Sequence, residues 1–376
     1  MEVSRVSGMF SLCSSIKSKC SLSSFSPLLR TNSRIPVPSK RGFLGYSMSS
    51  RKRDLCIASS GSSSNTYGFE GSYHQGAAES FFRTALESME KVYLSRNPTA
   101  SSILELVRSF DGEIFYDHLA FRTFGADGYG IDSMARFFLD FGYTPQDELR
   151  FPAKKLKALW FAPPSSPSSE NGSGVNGPLP RIFISELLVN EMSPEAQEII
   201  RKYTKISGSG NKYAALASAL GSLTWERPLH SEFQQLARES EYAAWTLVNG
   251  YAVNHVTIST HRLKSHLGNI NSFNQFIEEN GYKLNSEGGT LKVSPDGLLL
   301  QSSTVADSMP FHFSDGVVES VPCSYIEFAE RLVLPQYKNL PEKEIKEYHR
   351  RDGFEVGNAD KIFESTSRDQ LTRKAV

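Results

Sequence analysis

Apolar residues recur along this chain at two spacings. Over Ala77–Arg96 and Thr99–Phe110 the spacing is helical, and Asn97-Pro98 separates the two stretches. Two later segments read as strands, Phe115-Tyr116-Asp117-His118-Leu119-Ala120-Phe121-Arg122 and Tyr251-Ala252-Val253-Asn254-His255-Val256-Thr257-Ile258. Each carries a histidine in an apolar setting, and each precedes a helical stretch with an aromatic-rich end. Those ends are Phe138-Leu139-Asp140-Phe141-Gly142-Tyr143 and Phe276-Ile277-Glu278-Glu279-Asn280-Gly281-Tyr282. The step from histidine to glycine is 142 − 118 = 24 residues in the first copy and 281 − 255 = 26 in the second. This repeat predicts a duplicated β-α-β unit. The first copy spans about 113–190 and the second about 243–334, with a mostly helical bridge over 194–242. The Ser/Pro/Gly/Asn-rich stretch 163–180 interrupts the first copy and reads as a flexible surface loop. In the C-terminal segment 335–376, charged Lys343–Arg351 reads as a solvated helix.

Side chains alternate faces along a strand. His118, Ala120 and Arg122 therefore share one face, backed by Leu119 and Phe121. In the second copy His255, Thr257 and Ser259 share a face, with Asn254, Val256 and Ile258 on the other. If the copies pair, both imidazoles converge on one ion. A third strand, Pro322–Arg331, sets Glu327 between Ile326 and Phe328. A carboxylate in such surroundings is costly to bury unless paired, protonated or metal-bound. Two imidazoles and one carboxylate make the facial triad typical of non-haem iron(II). Glu330 falls on the opposite face from Glu327, where it pairs with a neighbour or meets solvent. Glu186 ends the first copy much as Glu327 ends the second, and three roles stay open for it: ligand, partner of a ligating histidine, or structural acid. Ala120 leaves room between His118 and Arg122, whose planar guanidinium suits a carboxylate. His230 follows a proline turn and reads as structural, while His261 and His266 read as solvent-exposed. His312 is the alternative third nitrogen ligand.

Three motifs in order, His118-Leu119-Ala120-Phe121-Arg122, Asn254-His255-Val256-Thr257 and Tyr325-Ile326-Glu327-Phe328, resemble those of the 2-oxoadipate dioxygenase/decarboxylase family. That family is related to the vicinal-oxygen-chelate fold, and the resemblance runs from about Ala77 to about Ser367. It implies an α+β fold in which duplicated β-α-β modules form a curved mixed sheet around a metal site, with added helices, in a single catalytic domain over 77–367. It also implies an Fe(2+) enzyme that converts 2-oxoadipate and O2 to 2-hydroxyglutarate, the D form, and CO2, in lysine breakdown. His118, His255 and Glu327 correspond to the iron ligands, and His118 and Arg122 to substrate contacts. The Ser/Gly/Pro insertion departs from the family pattern. Two other classes compete. One is a different metal-dependent enzyme on the same scaffold, an isomerase, lyase or extradiol dioxygenase. The other is a non-catalytic plastid binding protein.

Composition narrows the setting. The 376 residues carry zero net charge, which gives no support for nucleic-acid binding. No apolar run approaches the roughly 18 residues of a membrane span. Residues 1–60 are dense in serine and in Lys and Arg, with Glu2 and Asp54 as their only acids. That is the composition of an organelle transit peptide, cleaved between Ser50 and Asn65. Its serine content and few early arginines favour plastid over mitochondrion. Cys13, Cys20 and Cys56 lie in this leader, so Cys323 stands alone afterwards, which excludes an intramolecular disulfide framework there. Cys323 reads as a buried structural thiol.

Overall fold

The computed structural model describes residues 70–164 and 172–372. The leader and its cleavage region lie outside these residues, as does the middle of the Ser/Pro-rich stretch. The chain opens with helices α1 (Glu70–Arg96) and α2 (Pro98–Asp111). Helix α2 starts where expected because the Asn97 side chain accepts from the Ala100 N–H and Pro98 takes the first helical position. Ala100, Ile103, Leu104 and Val107, at helical spacing, are its buried stripe.

The first module follows as β1 (Tyr116–Phe124), α3 (Ile131–Asp140), β2 (Thr144–Phe151), β3 (Leu156–Ala162) and β4 (Arg181–Leu187). Helices α4 (Pro194–Ile206), α5 (Ala214–Leu220), α6 (His230–Glu239) and α7 (Glu241–Asn249) form the bridge. The second module is β5 (Val253–Ser259), α8 (Ile270–Glu279), β6 (Lys292–Val293), β7 (Leu299–Ser303) and, after the separate hairpin β8 (Ser308–His312)–β9 (Val318–Pro322), β10 (Tyr325–Arg331). Helices α9 (Val356–Ile362) and α10 (Arg368–Thr372) end the described chain. Among the described residues, no helix is long and apolar enough to cross a membrane.

One eight-stranded mixed sheet carries both modules, in the order β2-β3-β4-β1-β5-β10-β7-β6. Read outward from the centre, each half runs first strand, fourth, third, second. The first and fourth strands are parallel in both halves, and the remaining pairs within each half are antiparallel. The repeat unit is therefore β-α-β-β-β, one hairpin longer than the β-α-β expected. Both helices end alike. Gly142 and Gly281 take φ of 86° and 85°, and the following Tyr143 and Tyr282 N–H groups bond back to Phe138 and Ile277. The glycine that closes each sequence repeat is thus the residue that lets the helix stop.

The two modules meet through antiparallel β1 and β5, with His118 opposite Thr257 and Ala120 opposite His255. That register is two-fold symmetric, so the histidines are equivalent positions on adjacent strands. Every residue of β1, β5 and β10 is buried, including those on the polar face. The C-terminal segment covers that face. Residues 342–349 contain short 3-10 turns where a solvated helix was expected, and His349 is buried. The Ser/Gly-rich stretch is also tighter at its end than its composition suggests. Val175 is buried there, and Arg83 donates to the Val175 and Gly177 carbonyls, each at 2.8 Å.

Candidate metal centre

Two β-bulges shape the centre. Tyr116 pairs with Ile258 but His118 with Thr257, so Asp117 is an extra residue on its strand. Ala120 pairs with His255 but Phe121 with Val253, which makes Asn254 the extra residue of the other. A bulge re-aims a side chain, and each of these residues turns to the ring of the histidine that follows it. Asp117 Oδ1 lies 2.8 Å from His118 Nδ1, and Asn254 Oδ1 lies 3.0 Å from His255 Nδ1. Simple alternation had placed Asn254 on the far face; the bulge overturns that. Both oxygens accept, so both imidazoles carry their proton on Nδ1 and present a bare Nε2.

The two Nε2 atoms face each other at 3.2 Å. Glu327 Oε2 stands 3.1 Å from His255 Nε2 and 3.7 Å from His118 Nε2. Its other oxygen accepts from Gln301 Nε2 at 2.6 Å, and Gln301 in turn accepts from Asn358 Nδ2 at 3.0 Å. All three groups are buried, and they form a cluster that could hold a metal ion. Burial lowers the His255 pKa to about 4. Burial pushes the Glu327 carboxyl up, but its neighbours His118 and His255 and the bond donated by Gln301 outweigh that and leave the group below its ordinary range. The Thr257 hydroxyl, 3.1 Å from His118 Nε2, can serve that ring nitrogen, but His255 Nε2 and the Glu327 carboxylate face each other as two acceptors; a shared cation satisfies the whole group. The 3.2 and 3.1 Å separations agree with this, since neighbouring ligands about 2.1 Å from a metal lie roughly 3 Å apart at right angles, while the 3.7 Å one is wider.

A cavity of about 20 Å³, room for about one water, adjoins these atoms. Tyr325 stacks on His255 (centroids 4.7 Å apart), Phe354 sits edge-on to His118 (4.8 Å), and Phe183 and Phe363 complete the apolar wall. Arg122 lies behind Phe363, only 2% exposed. Its Nη1 donates to Thr366 Oγ1 at 3.0 Å and its Nη2 to the Phe363 carbonyl at 3.2 Å, while Nε has no partner. The Tyr242 and Trp245 rings lie 5.0 Å from the guanidinium. Among the described residues no carboxylate forms an ion pair with it, and burial lowers its pKa. Arg122 and Phe363 also border a second cavity of about 220 Å³ reaching Lys154 and Lys155.

The other candidates have different work. Glu186 accepts from the Ile131 N–H at 2.8 Å at the start of α3 and pairs with Lys157 at 3.1 Å. Glu330 does the same for the Ile270 N–H of α8, also at 2.8 Å. A carboxylate at a helix N-terminus satisfies an orphan donor and the helix dipole. Glu186 is thus the counterpart of Glu330 and a structural acid, while the position matching Glu327 holds Phe183. His230 pairs with Glu319 at 2.5 Å, His266 is exposed, and His312 is exposed on the separate hairpin. His261, expected in solvent, tucks its side chain in instead, leaving it 3% exposed: the ring meets Glu347 at 3.2 Å and accepts from the Arg331 N–H. The Cys323 thiol is buried and pushed up to about 11 by that burial. Sequence reasoning missed Asp117, Gln301, Tyr325, Phe354 and Phe363. The parallel dipeptides Asp117-His118 and Asn254-His255 signalled the first; the aromatic walls from the C-terminal segment left no local mark.

The chain has close relatives. A profile of the family described as 2-oxoadipate dioxygenase/decarboxylase matches residues 84–346. A chloroplastic 2-oxoadipate dioxygenase/decarboxylase of Arabidopsis thaliana is 66% identical, over 97% of this chain and 100% of its own length. A chloroplastic/amyloplastic one of Oryza sativa is 72% identical, over 79% of this chain and 82% of its own. The crystal structure of hydroxyglutarate synthase from Oryza sativa in complex with 2-oxoadipate superposes with a TM-score of 0.78 at 68% identity, covering 85% of this chain and 100% of that one. At 18% identity and a TM-score of 0.53, over 72% of this chain and 84% of its own, a glyoxalase superfamily protein from Ralstonia eutropha shares the fold alone. By profile, identity and coverage, this chain belongs to the 2-oxoadipate dioxygenase/decarboxylase family.

Proposed function

We propose that this chain is a plastid iron(II) enzyme that converts 2-oxoadipate and O2 to 2-hydroxyglutarate and CO2, with His118, His255 and Glu327 holding the metal. The plastid address follows the chloroplastic relatives and the basic, serine-rich leader. The substrate follows the relatives' names and the ligand of the rice structure. The D product and a place in lysine breakdown come from the family resemblance. One observation carries the reading: a three-donor cluster with one open side lies near a buried guanidinium that, among the described residues, lacks an acid.

Bound iron(II) supplies open positions for a chelating 2-oxo acid and for dioxygen. The chain does the rest. Gln301 occupies Glu327 Oε1 and so presents only Oε2 to the centre. Asp117 and Asn254 fix both ring orientations. Arg122 offers a carboxylate its planar fork, which explains a dicarboxylate substrate better than an aromatic 2-oxo acid. For the substrate to enter a cavity of about 20 Å³, Phe363 must move. The substrate carboxylate then replaces the Phe363 carbonyl and Thr366 hydroxyl as the partners of Arg122. Phe183 and Phe354 keep water from the reacting end.

Anaerobic purification, metal analysis and an oxygen electrode test this reading. One iron per chain is expected, with equal O2 uptake and CO2 release on 2-oxoadipate and little turnover of shorter 2-oxo dicarboxylates. Turnover without O2 would refute the dioxygenase reading and favour a lyase or isomerase.

A further inference from the structure

The two halves of the centre hold their histidines in the same way with different chemistry. Each ring donates Nδ1–H to the bulged residue before it, but that residue is an acid in one half and an amide in the other. Asn254 shows that the hydrogen bond alone does not call for a charge. The acid is also costly. Asp117 has a side chain 0% exposed, and a buried carboxylate needs ionic partners where an amide does not. Its partner is Arg331, equally buried, with Nε 2.6 Å from Asp117 Oδ2 and Nη2 2.9 Å from Oδ1. Arg181 adds a contact at 3.4 Å and is itself neutralised by Asp352 at 2.7 Å. Arg331 spends its remaining nitrogen on the Arg351 and Gly353 carbonyls, 3.1 and 2.7 Å away. That fixes the chain leading to Phe354, whose ring lies edge-on to His118.

We propose that Asp117, locked by Arg331, is a charged positioning residue that makes His118 the stronger of the two imidazole donors at the metal. A carboxylate accepting from Nδ1 raises the basicity of Nε2 more than an amide does. The guanidinium engages both Asp117 oxygens and so holds the carboxylate in place against His118 Nδ1. The same guanidinium couples that ligand to the cavity wall at Phe354. The inference rests on the metal reading above, and its test separates the two.

Full-length protein stripped by a chelator is titrated with Co(II), followed by calorimetry and visible absorption. Wild type should bind one Co(II). Asp117→Asn, which retains an oxygen acceptor as in Asn254, should bind it about 10- to 100-fold more weakly with a shifted visible spectrum. Wild-type affinity and spectrum in Asp117→Asn would overturn the proposal and leave the metal reading standing. Failure of wild type to bind Co(II) would overturn the metal reading, and the proposal with it. If Asp117→Asn does not fold, the wild-type protein decides. Loaded with Zn(II) and labelled with ¹⁵N-histidine, it should show unequal Nδ1–H resonances for its two ligand histidines, the His118 proton further downfield. Equal resonances would overturn the proposal.

Discussion

Replacing Arg122 with methionine separates a substrate role from a structural one. Methionine keeps most of the length of the side chain and removes the charge and the planar fork. In the folded protein the guanidinium donates two hydrogen bonds to neutral acceptors, Thr366 Oγ1 and the Phe363 carbonyl, and leaves Nε unpaired. A buried cation without an acid contributes little to stability, because its desolvation offsets what its neighbours return. Arg122→Met should therefore fold, hold its metal, and melt within a few degrees of wild type. Catalysis should behave differently. A charge-assisted hydrogen bond contributes about 1.5–3 kcal/mol, so a two-bond fork to the substrate carboxylate contributes roughly 3–6 kcal/mol. At about 1.4 kcal/mol per factor of ten, kcat/KM for 2-oxoadipate should fall by about 10²- to 10⁴-fold. Arg122→Lys, a charge without the fork, should lie between. Oxygen uptake under anaerobically controlled iron loading measures the loss, and thermal denaturation measures stability. Iron-loaded Arg122→Met with kcat/KM near wild type would refute the substrate role. A large fall in melting temperature with unchanged catalysis per folded molecule would assign Arg122 to the fold.

Three further outcomes are expected. Glu186→Ala removes a helix cap and should cost about 1 kcal/mol of stability with metal content unchanged; loss of metal in chemical analysis would restore Glu186 as a ligand. Lys292 is buried, its ammonium pulled down to about 8 by that burial. Between pH 8 and the unfolded value near 10.4, the unfolded chain therefore binds more protons, and this group makes stability rise with pH by up to about 3 kcal/mol. Denaturant unfolding at pH 8 and 9.5 should show a rise in wild type that is smaller in Lys292→Met; equal slopes would contradict the buried-ammonium argument. Deleting residues 1–60 should leave turnover and melting temperature unchanged, since a serine-rich basic segment buries too little apolar surface to offset its ordering entropy. A truncated protein that fails to fold would make the leader structural.

The three clustered side chains were legible because each is a polar residue set in an apolar strand, where burial demands a partner. The duplicated unit was legible because its helices end on the same glycine turn. Other features depend on pairing partners, which a local pattern does not encode. The bulges at Asp117 and Asn254 exist only as a mismatch between two strands 137 residues apart in sequence. Glu186 resembled Glu327 by its place near the end of a strand, but register sets its equivalence. Glu327 lies opposite Thr257, two residues beyond His255, whereas Glu186 lies opposite Thr123, five beyond His118. The C-terminal cover was illegible for a further reason. It is held by scattered bonds, such as those from Asn285 and Ser303 to Ser365, that impose no periodicity on the segment.

Duplication alone would build the wrong centre. The two-fold register of β1 and β5 would repeat every side chain, and a faithful copy of the second half would face the metal with two histidines and two carboxylates. Four donors from the sheet would crowd the positions that a chelating substrate and oxygen need. The first half avoids this at one position. Phe183, opposite Ala120, stands where the second half has Glu327 opposite Thr257. Its ring packs on Phe354, centroids 4.9 Å apart, and becomes the apolar wall of the cavity. In the proposed reading, a second divergence supplies what the metal would not. Arg122, four residues after His118, has Ser259 as its counterpart four residues after His255. The symmetric positions thus give the two imidazoles, one asymmetric position gives the acid, and another gives the guanidinium. Two matched modules in this way make a centre with one closed side and one open side, which the proposed binding of an unsymmetrical 2-oxo dicarboxylate requires.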